Sequence, residues 1–135
     1  MTTRLKRVLL IAAIPFALAG TALAGRKTGI GGEVSIDFTS KRADGTISAA
    51  YNSADGAQTL GCHVTGWAGS PLYVACFAWD KNNKLAICDS EDPSVVAAAL
   101  SVSNSSRITF AWDKSYHCTE VGVANESPTD PKAHP

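Results

Sequence analysis

FAWDK occupies residues 77–81 and returns at residues 110–114, and the reading of this repeat decides the fold. After Trp79 the chain runs Asp80, Lys81, Asn82, Asn83, Lys84 and comes back to apolar residues at Leu85. An Asp carboxylate accepts amide hydrogens at the first position of a type I turn, and Asn is the non-glycine residue best able to adopt the left-handed conformation that a following bulge needs. The stretch therefore reads as the tip of a β-hairpin with a three-residue loop. In that register Asp80 closes on Lys84, Trp79 faces Leu85, Phe77 faces Ile87 and Cys76 lies opposite Cys88.

The second copy repeats Phe110, Trp112 and Asp113, but its turn continues as Lys114, Ser115, Tyr116, His117 and lacks the second Asn. Its cysteine, Cys118, follows Lys114 by four residues, whereas Cys88 follows Lys81 by seven. The expectation is a shared ascending strand with different descending registers, the aromatics in core or cross-strand contacts and each Asp building its turn. Two copies are too few for a propeller. One carboxylate with neighbouring Asn offers too few hard oxygens for calcium, so no metal is expected at either turn.

Working outward, EVSIDF at residues 33–38 alternates apolar and polar positions as a half-buried strand does. KRADG reads as a turn into a strand TISAAY, and NSADG as a second turn before AQTLGCHV. LYVACFAW has no charged or strongly polar residue and reads as a strand covered on both faces. KLAIC, RITFAW and CTEVGV supply further strands. One segment, SEDPSVVAAALSV at residues 90–102, has helical spacing, with Asp92 as cap and Pro93 at the first helical position. The fold class expected is α+β: an antiparallel, hairpin-rich sheet with one short helix, stapled by disulfides.

Residues 1–24 read as a cleavable export signal, with Arg4, Lys6 and Arg7 ahead of an apolar run and Ala22 and Ala24 at the processing site. Residues 25–32 read as a flexible leader, 33–124 as one folded domain and 125–135 as a disordered tail. The whole chain carries 12 basic and 12 acidic residues; loss of the three signal-segment cations leaves nine against twelve, a net of −3. With basic residues few and scattered, no nucleic-acid partner is expected. No membrane span is expected after cleavage, and the location implied is secreted or periplasmic.

Cys62, Cys76, Cys88 and Cys118 form an even set behind an export signal, which implies two disulfides. Their spacings of 14, 12 and 30 residues lack the close pair typical of zinc sites, and no metal or other cofactor is expected. The hairpin register favours Cys76 with Cys88, leaving Cys62 for Cys118. The sequential pairing, Cys62 with Cys76 and Cys88 with Cys118, stands as its rival.

Those pairings bear on chemistry, because His63 follows Cys62 and His117 precedes Cys118. A Cys62 to Cys118 bridge would bring both histidines together as an acid and base pair of ribonuclease or phosphodiesterase type. No nucleophile elbow is present, and the chain is not expected to be an enzyme. The binding candidates are Trp67, between Gly66 and Ala68-Gly69, with Tyr73 and Tyr116 adding to such a patch, and separately His63 and His117. The function expected is a small exported binding module for an extracellular or envelope ligand, whether glycan, peptide or protein, with a secreted inhibitor or structural protein as a further alternative.

Overall fold

The two Asp-led turns form alike. In a computed structural model that describes residues 32–126, Asp80 Oδ1 accepts from the amides of Asn82 (2.8 Å) and Lys84 (2.9 Å), and Asp113 Oδ1 from those of Ser115 (2.7 Å) and His117 (3.0 Å). Asp80 N donates to Lys84 O and Asp113 N to His117 O, each at 3.0 Å, so both loops contain three residues. The left-handed position is Asn83 in one (φ 59°) and Tyr116 in the other (φ 64°). Tyr116 thus stands where the first hairpin has Asn83, and the two loops have the same length. The registers diverge one step later, where Trp112 pairs with Cys118 and Ala111 with Glu120, leaving Thr119 in a bulge.

Around these turns the chain forms β1 (Ser35–Asp37), β2 (Arg42–Thr46), α1 (Ile47–Tyr51), β3 (Thr59–Thr65), β4 (Tyr73–Trp79), β5 (Leu85–Ser90), α2 (Pro93–Leu100), β6 (Arg107–Trp112) and β7 (Cys118–Ala124). Two antiparallel sheets result, one in the order β1-β2-β6-β7 and one in the order β3-β4-β5. The expected α+β class holds, with two sheets in place of one and two short helices in place of one. Asp92 caps α2 through Oδ1, which accepts from Ser94 N and Val95 N, and Pro93 opens the helix as expected. Val96 and Ala99 are its buried residues, while Leu100 is exposed.

Two local expectations fail for tertiary reasons. RADGT is a strand, and the turn precedes it at residues 38–41, where Lys41 has φ 53°. Arg42 reaches across Ala111 to make paired hydrogen bonds with Glu120 (2.8 and 3.0 Å), and Asp44 bonds Arg107 (2.7 Å). Gly45 allows a close approach there, since a Cβ would lie 3.1 Å from the Val34 backbone and 3.2 Å from the Leu60 side chain. Cross-strand charge pairing and close packing thus override turn propensity. ISAAY, expected as strand, forms α1, whose Ile47 N donates to Ser106 O (3.0 Å) and whose Ala50 is buried.

The core lies between the sheets. Ile108, Phe110 and Trp112 face it from β6, and Leu60, Val74, Cys76, Ala78, Ala86 and Cys88 from the three-stranded sheet. Asn125 belongs to the folded part: its side chain bonds Ser103 Oγ (3.0 Å), Ser101 O (3.1 Å) and Ser106 Oγ, tying the end of β7 to the loop after α2. Residues 1–24, read from sequence as an export signal, residues 25–31 of the expected leader and residues 127–135 of the expected tail lie outside the described residues.

The hairpin register is as expected, with Cys76 opposite Cys88, Phe77 opposite Ile87 and Trp79 opposite Leu85, but the disulfide pairing favoured on that register is not. The bridges are Cys62–Cys76 and Cys88–Cys118. The reason is a parity. Asp80 and Lys84 are a hydrogen-bonded pair, and such pairs alternate along an antiparallel ladder, so Cys76 and Cys88 are hydrogen-bonded too. Asp89 N, which points away from β4 to Tyr116 O (3.1 Å), fits the same alternation. Cys76 is therefore in a non-hydrogen-bonded pair on its other side, with Cys62, where side chains stand closer; that Cα separation is 4.0 Å. Cys88 is left to join the two sheets through Cys118.

Candidate functional site

Period-2 alternation places every second residue of β4 on the side of the sheet away from the core. Val74, Cys76 and Ala78 point inward, so Tyr73, Ala75, Phe77 and Trp79 point outward. From β5 the outward set is Leu85, Ile87 and Asp89. Pairing puts Trp79 beside Leu85 and Phe77 beside Ile87. Trp79, Leu85 and Ile87 are 40%, 44% and 47% exposed, and no element of the described chain covers them. The two FAWDK copies thus present opposite faces: Phe110 and Trp112 are core residues, while Phe77 and Trp79 form an aromatic surface. LYVACFAW is central in its sheet as expected but covered on one face only.

On β3, Gly61 is paired with Phe77, whose ring leans over it; a Cβ at Gly61 would meet Phe77 Cζ at 3.3 Å. At the other end of β4, Tyr73 lies against Trp67, ring centroids 6.1 Å apart and planes tilted by 52°. Trp67 is 58% exposed on a tight turn in which Ser70 N donates to Trp67 O (3.0 Å) and Gly69 takes φ 81°. At Gly66 a Cβ would come within 2.8 Å of Leu72 Cδ2, the end of an exposed side chain that can move aside. Burial raises the Tyr73 hydroxyl above its ordinary pKa, and Asp89 and Glu91 add to the effect. Tyr73 therefore keeps its proton and offers a donor on an acidic rim.

The structure brings Trp67 and Tyr73 together and places Tyr116 elsewhere, at the exposed tip of the second hairpin. His63 and His117 share one row of the outward face, ordered His63, Ala75, Asp89, His117. They stand at its two ends, roughly 14 Å apart by strand spacing. His117 Nδ1 lies 3.6 Å from Asp89 Oδ2. The Cys62 to Cys118 bridge that would have joined the histidines is absent, and all four cysteines are in the two bridges described.

Sequence reasoning missed Trp79, Phe77, Leu85 and Ile87 as surface residues. The signal available was the opposite set of the same strands: Ala78, Cys76, Ala86 and Cys88 are small, and small side chains are what a sheet packs inward when another sheet lies close against it. Among the described residues no helix is long and apolar enough to cross a membrane, and the two disulfides fit an oxidising compartment. Comparison of the chain with models of known protein families, with characterised proteins and with solved structures finds no match in any of the three.

Proposed function

We propose that the protein is a small exported binding module that docks on an extracellular or envelope protein through the outward face of β3-β4-β5. The observation that carries this reading is the exposed cluster of Trp79, Leu85 and Ile87, joined by half-buried Phe77 and continued toward Tyr73 and Trp67. A contiguous apolar patch with a polar rim is the usual mark of a protein interface, and aromatic side chains are enriched at interface centres. The aliphatic neighbours favour a protein over a sugar: Leu85 and Ile87 flank the rings where a glycan platform would need amides or carboxylates to bond hydroxyl groups. The separation of His63 from His117 supports binding over hydrolysis, since acid and base must reach one substrate.

The test compares the secreted protein with Trp79→Ser/Ile87→Ser for binding to extracellular and envelope fractions, with a glycan array alongside. Retention of wild-type protein by a protease-sensitive component, lost in the double variant at unchanged melting temperature, is the result expected. Equal retention of both forms, or retention on glycans alone, overturns the reading.

A further inference from the structure

The unpaired edge of β3 is a feature the outward face does not explain. β3 bonds to β4 on one side only, and its sequence TLGCHVT has none of the Lys, Pro or other charged residues with which edge strands ordinarily deter pairing. Because Cys62 and Cys76 form a non-hydrogen-bonded pair, Gly61 and His63 direct their N–H and C=O groups to β4, while Leu60, Cys62 and Val64 direct theirs outward. Among the described residues no backbone group from another segment bonds to these three.

We infer that β3 pairs antiparallel with β3 of a second copy about a two-fold axis at Cys62. A residue with outward backbone groups must oppose another such residue across the new ladder, and the register centred on Cys62 engages Leu60, Cys62 and Val64 together, for about six hydrogen bonds. It sets Leu60 opposite Val64 of the second copy, Gly61 opposite His63 and Thr59 opposite Thr65. Apolar residues meet on the inner side, threonines meet on the outer side, and no like charges meet; these are favourable cross-strand pairs.

The side chains point to a second copy for one more reason. Val64 is half-buried in the single chain, and Leu60, which would face it, lines an apolar cavity of about 350 Å3 with Ile47, Ala50, Tyr51 and Phe77. The incoming strand covers half-buried Val64 as well as the backbone edge. The interface is isologous and closes on itself, so it yields a dimer and not a fibre. The product is a six-stranded sheet with two outward faces side by side, able to engage a repeated partner with avidity. The pairing stands whether or not that face binds anything.

The experiment is the mass in solution of the secreted protein, followed by sedimentation and light scattering over a concentration series. Wild type is expected as a dimer at about 50 μM. Thr59→Lys/Thr65→Lys places like charges opposite each other at both ends of the ladder, and Thr59→Glu/Thr65→Glu does the same with the other sign. Each is expected to raise the dimer Kd by about tenfold or more while keeping the wild-type circular dichroism. Mixing the two is expected to restore a heterodimer, which a merely misfolded variant would not do. A wild type that stays monomeric at about 500 μM, or a dimer that persists unchanged in both variants, overturns the pairing.

Discussion

Cys76 faces Cys88 across a hydrogen-bonded strand pair and is bonded instead to Cys62, its neighbour on the other side. Non-reduced peptide mapping is expected to recover Cys62 linked to Cys76 and Cys88 linked to Cys118. A peptide joining Cys76 to Cys88 would contradict the ladder parity set by Asp80 and Lys84. In the chain-entropy model the 14-residue and 30-residue closures contribute about 3 and about 4 kcal/mol. Cys88→Ala/Cys118→Ala should therefore cost more than Cys62→Ala/Cys76→Ala in denaturant titrations, the more so because it unlinks the two sheets.

The same pentapeptide should respond oppositely in its two copies. Trp112 is buried against Phe110 and Phe38, and Trp112→Ala should cost about 3–5 kcal/mol. Trp79→Ala and Trp67→Ala, at exposed positions, should each cost about 1 kcal/mol or less. Chemical denaturation of the three variants reads this directly, and equal losses at Trp79 and Trp112 would refute the assignment of opposite faces.

Tyr116 holds a positive φ of 64° at the position that Asn83 fills in the first hairpin. A bulky residue is disfavoured in the left-handed region, where Asn is tolerated. Tyr116→Asn should stabilise the protein by about 1 kcal/mol, and Asn83→Tyr should destabilise it by a similar amount. Melting temperatures that move the same way in both variants would count against identical turns.

Thr46 Oγ1 is buried with no hydrogen-bond partner among the described residues. An unsatisfied buried hydroxyl carries its desolvation penalty, and valine has nearly the same shape without the polar atom. Thr46→Val should raise stability by about 1 kcal/mol, measured by urea titration; a loss would mean that the hydroxyl is bonded in solution.

Acid should weaken the fold through its turn carboxylates. The amides of His117 and Ser115 hold Asp113 below its ordinary pKa. Burial raises Asp80, but the amides of Lys84 and Asn82 outweigh it and leave that carboxyl lowered as well. Asp55, bonded by the Gln58 side chain and the Ala57 amide, is lowered to about 2. A folded value below the unfolded one means that the unfolded chain takes up protons first. The stabilisation is thus present above the ordinary carboxylate range and is lost as pH falls through the folded values, for Asp55 between about 4 and 2. Thermal melts from pH 6 to pH 2 should show this decline, and Asp55→Asn should flatten its lowest part.

Local chemistry determined much of this protein in sequence alone. Asp80 with Asn83 specified the first loop and its register, Asp92 with Pro93 specified the start of α2, and four cysteines behind an export-like segment specified two bridges. Each of these depends on groups a few residues apart, whose geometry the backbone itself sets. The tertiary structure decided the rest. RADGT became a strand because Glu120 and Arg107, far along the chain, pair with its charges, and ISAAY became a helix whose first amide bonds the buried Ser106. Which face of FAWDK meets the core depends on the sheet it joins, because alternation fixes that two faces exist without saying which is covered. The candidate surface of Trp79, Phe77, Leu85 and Ile87 was hidden for that reason, and so was the partner of Cys76: a strand offers its hydrogen bonds to one neighbour at each residue, and only the assembled sheet shows which neighbour lies on the other side.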